Sequence, residues 1–364
     1  METNKIILYN RIDVFIKILY IKAFIKKEEF KKYKELYKKH INLYNGGYED
    51  HKRNINDFEK DFNKLIKNIK DNGFNNNYPI LINEKGIVIN GSHRLACCLY
   101  FGITPVFKII HGKGIIWDIN WLYNNKFENE EIIEIINCYT DYKKDFFIYI
   151  IWPSLFNKYK DIKLDLQKIG NFIGSFEINI NKKILSELIK DIYSYDDGNL
   201  KGGLGIDKKI ILLNNSKIKK IIVLVFEKNN NIYLNERGFK DKIRNKYKKY
   251  TGVNDGTERF YTFHSGEDQN ENNYIKKIIL NIKNLESLKY RDSIENNSKL
   301  INNLDIFRKY CKQNNLNKED FCIVGSTILE IYNLRKANDL DFISNNIISK
   351  KNNICMKKNR NIGI

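Results

Sequence analysis

The sequence predicts a mixed α/β (α+β) chain built from several domains. Its 364 residues are 42% hydrophobic and 29% charged, enough for more than one packed core. Apolar residues recur at three- and four-residue steps in some stretches and in short β-branched runs in others. Glycines sit between these stretches, and with only 3 prolines the elements run without interruption.

In order along the chain, residues 11–45 read as helical, with Val14, Ile18, Ile21 and Ile25 on one face, and Gly46-Gly47 ends the pattern. A second helix runs from Asp57, as N-cap, to Lys70. Its stripe is Phe58, Phe62, Leu65, Ile66 and Ile69, and Gly73 is its stop. Pro79–Ile82 is a strand, Asn83-Glu84-Lys85-Gly86 a hairpin turn, and Ile87–Asn90 the return strand. Gly91 turns the chain into a helix over Ser92–Tyr100, capped by Gly102, and Thr104–Ile110 is a third strand. Residues 112–145 mix connections and helix.

A middle region follows, with strands at Phe146–Ile151, Phe172–Ile180, Ile221–Glu227 and Arg259–His264, and helices at Lys182–Tyr195, Phe239–Tyr247 and Glu271–Leu288. That alternation favours a layered α/β domain. Gly202–Gly205 reads as a loop and Arg291–Lys299 as a linker. A helix over Asn303–Gln313, strands at Phe321–Val324 and Leu340–Ile343, and a turn plus helix over Gly325–Leu334 complete the pattern. The domains expected are 1–56, 57–125, 126–290 and 300–344, with a loose tail over 345–364.

Net charge is +19, which points generally to polyanions. Lys far outnumbers Arg, however, and Lys, Asn and Ile crowd the whole chain. This is a compositional bias and not a patch, so nucleic-acid binding is the less favoured reading. None of the six cysteines forms a CxxC pair, so neither a zinc site nor a disulfide framework is expected, and free buried thiols fit a reducing cytoplasm. Asp13, Lys17 and Lys22 break the apolar N-terminal stretch, which excludes a signal peptide. No other apolar run is long enough to span a bilayer.

The string Gly91-Ser92-His93-Arg94 carries the first candidate site. A strand ends, glycine bends the chain, and a helix begins at once, so the first helical amides and the helix dipole face outward and favour an anion. Ser92 can donate or cap, Arg94 offers a bidentate fork to phosphate oxygens, and His93 can donate or carry a proton near neutral pH. Taken alone, the four residues also fit a plain capped turn. The longer text PILINEKGIVINGSHRLACCLYFGITPVFKII resembles the ParB/sulfiredoxin superfamily along its core, over roughly residues 57–110. That resemblance implies a nucleotide's phosphates, of ATP or CTP, on Gly91, Ser92, His93 and Arg94. Ser92 stands where sulfiredoxins place their reactive cysteine, and no DNA-binding helical domain is evident after Ile110. A kinase-like activity therefore remains, with Glu84 and Asp118 as candidate bases beside His93.

The text FCIVGSTILEIYNLRKANDLDFIS resembles the opening of a nucleotidyltransferase domain. The resemblance implies Gly325 and Ser326 on phosphates, Asp339 and Asp341 on Mg²⁺, and Arg335 or Lys336 against charge. Alternate strand residues share a face, so the two carboxylates would point together. The third carboxylate of such domains has no counterpart before the chain ends, so nucleotidyl transfer by this chain alone is not expected. In the middle region His264, Glu267 and Asp268 fall between a strand and a helix, where an acidic helix start is also ordinary. The combination resembles bacterial proteins of surface-glycan gene clusters. The function expected is nucleotide-dependent phosphoryl transfer to a small hydroxyl-bearing metabolite or glycan precursor, with Mg²⁺. The alternatives are a non-catalytic nucleotide-binding module and a nucleic-acid binder.

Overall fold

The computed structural model describes residues 6–44, 51–196, 205–228, 236–288, 298–316, 321–331, 336–337 and 340–344. It is a mixed α/β chain in two compact units, Met1–Asn181 with Ile192–Ile282, and Lys182–Asp191 with Lys283–Ile364. Among the described residues no helix is long and apolar enough to cross a membrane.

The first unit opens with α1 (Asp13–Lys26) and α2 (Phe30–Leu43). The single helix expected over 11–45 is two, because the run Lys26-Lys27-Glu28-Glu29 has no apolar side chain to bury, and Lys27 and Glu29 turn left-handed there. Helix α1 is buried on nearly every face, from Val14 to Ile21. Helix α3 (Ile55–Asn72) begins two residues before the expected cap. Asn54, not Asp57, caps it, its side chain accepting from the Asn56 and Asp57 amides at 2.9 and 3.3 Å. Gly73 ends it at φ 76°.

A three-stranded sheet of order β2-β1-β3 follows, from β1 (Ile80–Ile82), β2 (Val88–Asn90) and β3 (Phe107–Ile109). The β1–β2 hairpin is antiparallel and β3 lies parallel to β1, reached through α4 (Ser92–Phe101). Asn83 shapes the hairpin turn by accepting from the Lys85 and Ile87 amides. Leu95, Ala96, Cys97 and Cys98 bury α4, and both thiols are free.

Helices α5 (Ile119–Asn124) and α6 (Asn129–Tyr142) lead to a second sheet of order β5-β6-β4-β7. Its strands are β4 (Phe146–Ile151), β5 (Gly170–Asn179), β6 (Lys220–Lys228) and β7 (Phe263–Ser265). Every pairing in it is antiparallel. The helix–strand alternation seen in sequence therefore does not build parallel crossovers here. Phe147, Tyr149, Ile151, Leu224, Phe226 and Phe263 pack one face with residues of α7 (Tyr159–Leu166). On β5, a Cβ at Gly174 would stand 2.6 Å from Ile136 Cδ1, so glycine is what lets α6 approach the strand.

Helix α8 (Lys182–Tyr193) spans both units, and α9 (Ile206–Asn214), α10 (Glu236–Tyr247) and α11 (Gln269–Ile279) complete the first. Neither α7 nor α9 was expected. The helix expected over Glu271–Leu288 is α11 and α12 (Ile282–Ser287), and the first half of the strand expected over Arg259–His264 is a 3₁₀ turn. In the second unit α13 (Ser298–Gln313) packs Phe307 and Cys311 against Leu340. An antiparallel pair, β8 (Phe321–Ile323) and β9 (Phe342–Ser344), flanks the short α14 (Ser326–Ile331). Residues 202–204, 291–297 and 332–334 and the tail expected over 345–364 lie outside the described residues.

Candidate functional site

Gly91 takes φ 97°, the left-handed conformation that glycine adopts at low cost, and helix α4 starts at the next residue. No side chain caps this helix start, so Ser92 is not its cap. Ahead of it lies a cavity of about 290 Å³, in which Asn90, Gly91, Ser92, His93 and Arg94 form one wall. That volume is near the lower end for small-molecule sites. Also lining it are Tyr37, His40 and Tyr44, Phe58, Asp61 and Phe62 of α3, and Trp117.

Beneath the cavity is a buried charge cluster. Arg11 donates to Asp13 from Nε at 2.8 Å and Nη2 at 3.0 Å, and from Nη1 to the Val88 carbonyl at 2.6 Å. Lys17 Nζ donates to Asp13 Oδ2 at 2.5 Å and lies 3.3 Å from His40 Nε2. Burial alone would raise the Asp13 carboxyl, but Arg11 and Lys17 outweigh it and hold the group far below the carboxylate range. Burial, reinforced by Lys17, pushes His40 down to about 3, so its ring is neutral, and its buried Nδ1 has no hydrogen-bond partner. Two cations against one carboxylate leave the floor with positive charge. Arg11 and Lys17 reach the cavity, as do Lys52 and Arg94.

His93 is half-buried, with its remaining surface toward the cavity and protein around the rest. Burial, then Lys17 and His40, hold its imidazole well below the usual histidine range. It is therefore neutral near pH 7 and does not carry a proton there, contrary to the sequence expectation. Its Nε2 lies 2.9 Å from Tyr37 Oη, and the Phe62 ring meets it edge-on at 4.6 Å. Tyr37→Phe is expected to cost about 1 kcal/mol in urea unfolding through loss of this bond.

Arg94 differs from the expected free fork. Its Nη1 donates to the Tyr78 and Pro79 carbonyls, the latter at 3.2 Å, and Nη2 lies 3.3 Å from Asn90 Oδ1. The side chain ties the start of β1 to the Gly91 turn while still facing the cavity.

The two candidate bases are elsewhere. Glu84 sits in the hairpin turn at the other end of β2 from Gly91, exposed and 2.5 Å from His111 Nδ1. Asp118 caps α5, accepting from the Trp121 amide at 3.0 Å. Neither lines the cavity. The carboxylate that does is Asp61, with His51 Nε2 2.8 Å from its Oδ2. Its sequence signal was an acid interrupting the apolar stripe of α3.

In the second unit the Gly325-Ser326 turn is filled by this chain's own acid. Asp341 Oδ2 accepts from the Ser326 amide at 3.1 Å and from its hydroxyl at 3.0 Å. A Cβ on Gly325 would stand 2.5 Å from the same oxygen. Asp341 thus occupies the place expected of a phosphate and faces the turn, not a metal partner. Asp339 and Arg335 lie outside the described residues. Among the described residues no three His, Cys, Asp or Glu gather into a metal site.

In the middle region Asp268 caps α11 through the Glu271 amide at 2.8 Å, which is the ordinary role of an acid at a helix start. His264 is buried, with Nε2 3.5 Å from Glu271 Oε1. Nearby, Lys240 and Arg244 donate to the Ser265 and Phe263 carbonyls along the edge of β7, protecting an edge strand that would otherwise expose them.

No family model matches the chain, and no solved structure does. The chain is similar to the phosphatidylserine decarboxylase proenzyme of Clostridium tetani (strain Massachusetts / E88), at 30% identity over 145 residues, 36% of this chain and 43% of that enzyme. The similarity spans less than half the length of that relative.

Proposed function

We propose that the chain binds the phosphates of a nucleotide, ATP or CTP, in the cavity ahead of Gly91 and transfers a phosphoryl group to a small hydroxyl-bearing metabolite or glycan precursor. The observation that carries the reading is the open cavity in front of an uncapped helix start, with Arg11, Lys17, Lys52 and Arg94 around it. Bare amides, a helix dipole and surplus positive charge favour a polyanion. The resemblance to ParB/sulfiredoxin-like domains supports the same site.

The cavity fits a magnesium ion that arrives with the nucleotide. Such an ion keeps several waters, would be held mainly by the phosphate oxygens and needs few protein ligands, and Asn90 lines the cavity. Bound there, it would screen the phosphate charge. The chain's own residues orient the ligand: the Ser92 hydroxyl and the first amides of α4 hold phosphate oxygens, and Tyr44 and Trp117 supply an apolar wall.

A second reading, a nucleotide-binding module without transfer, is favoured by the placement of Glu84 and Asp118 away from the cavity. The test of binding is thermal unfolding with ATP, CTP and GTP in Mg²⁺. A ligand at about 100 times its Kd adds about 2.7 kcal/mol of stability. Ser92→Ala is the informative variant, since that side chain caps nothing. Its unliganded melting point should match wild type while its nucleotide response shrinks. A wild type with no response to any of the three refutes the proposal.

A further inference from the structure

Deepening the proposed function, on which it rests, we propose that Asp61 is the proton-accepting carboxylate of this cavity and that His51 positions it. Phe58, Asp61, Phe62 and Leu65 of α3 all line the cavity, with Asp61 three residues after Phe58 and four before Leu65, so they share one face of the helix. Three are apolar and one is an acid. Asp61 is also the one carboxylate among the described cavity-lining residues, which include Arg11, Lys17, Lys52 and Arg94.

A site that only held phosphate would gain nothing from this group, because like charges repel at close range. A carboxylate in such a place suits a partner that donates hydrogen, and the hydroxyl of an acceptor is that partner. His51 Nε2 lies 2.8 Å from Asp61 Oδ2 and engages that oxygen, which leaves the lone pairs of Oδ1 for a second donor. The side chain keeps 34% of its surface exposed, so it is reachable without rearrangement.

The acceptor oxygen attacks the γ-phosphorus of the nucleotide while its proton passes to Asp61. The bond between that phosphorus and the β,γ-bridging oxygen breaks, and the nucleoside diphosphate leaves with the electron pair. Asp61 then releases the proton to solvent.

The experiment uses the full chain with ATP and Mg²⁺, measuring binding by thermal shift and turnover as ADP release, with water and then glycerol as the hydroxyl probe. Asp61→Asn should bind ATP within threefold of wild type and turn over slower by about a hundredfold or more, the usual scale of general-base loss. His51→Phe should lower kcat with KM for ATP unchanged, and His51→Gln, whose amide N–H also donates, should restore most of the rate. Wild-type turnover by Asp61→Asn overturns the assignment. So does a wild type that binds ATP yet releases ADP with neither probe, an outcome that leaves nucleotide binding standing. A wild type that fails to bind ATP removes both proposals.

Discussion

Asp13→Asn should destabilise the chain by about 3–5 kcal/mol, the cost of breaking a buried ion pair and leaving its partners uncompensated. Asp13 is fully buried and accepts from both Arg11 and Lys17, whose side chains are themselves 2% and 1% exposed. The amide cannot neutralise either. An exposed pair such as Lys158–Asp161 offers the contrast, since its removal should change stability by less than about 1 kcal/mol. Urea unfolding of the two variants beside wild type measures both. Equal small losses would mean that the cluster relaxes or takes in water.

The same cluster makes the fold acid-sensitive. Asp13 is held below its unfolded value, so its contribution is present above the ordinary carboxylate range and is lost as pH falls through the folded value. His40 acts in the same direction. It stays neutral in the fold down to about 3, whereas the unfolded ring takes up a proton near 6.5, so the unfolded state binds more protons between these values and stability falls as pH is lowered across them. Asp13→Asn should therefore lose its stability at neutral pH and show a shallower further decline in acid.

Local chemistry was legible in the sequence where one residue decides a geometry. Gly91, Gly102 and the Asn83–Gly86 turn stand where glycine and asparagine spacing put them, and β1, β2 and α4 fall within a residue or two of their expected bounds. What was not legible depends on neighbours far along the chain. Residues 159–166 and 206–214 carry no strong stripe, and the first of these helices forms against a sheet whose antiparallel order no local pattern encodes. The candidate site divides in the same way. The turn was readable, but Arg11, Asp13, Lys17 and His40 come from α1 and α2 and their approach, and only folding brings them beneath it. Glu84 and Asp118 are near the Gly91 turn in sequence only, since one lies in the hairpin turn and the other caps α5. Asp341 shows the converse: the Gly-Ser turn and the acid were both visible, and the geometry that binds them to each other was not.

Gly91→Val should separate fold from function most sharply. At φ 97° a β-branched residue is strained whatever space surrounds it, at a cost of about 1–3 kcal/mol. Space is also short. A Cβ would stand 3.0 Å from Arg94 Nη2 and 3.3 Å from Ile80 Cγ1, so the Arg94 guanidinium must shift by a few tenths of an ångström from its place beside Asn90. The Leu95 amide bonds the Gly91 carbonyl at 2.8 Å, so moving this backbone also disturbs the first turn of α4 and the amides aimed into the cavity. The variant should remain folded, since α4 is anchored by Leu95 to Cys98 and not by its start. Its melting point should drop, and ATP should no longer raise it. Gly102→Val serves as the control: it sits at φ 68° at the other end of the same helix with nothing within 4 Å, so it carries the strain without touching the cavity. If both variants lose the nucleotide response equally, the response reports general stability and not an anion held at the Gly91 turn. If Gly102→Val keeps it while Gly91→Val loses it, the bend itself is what receives the phosphate.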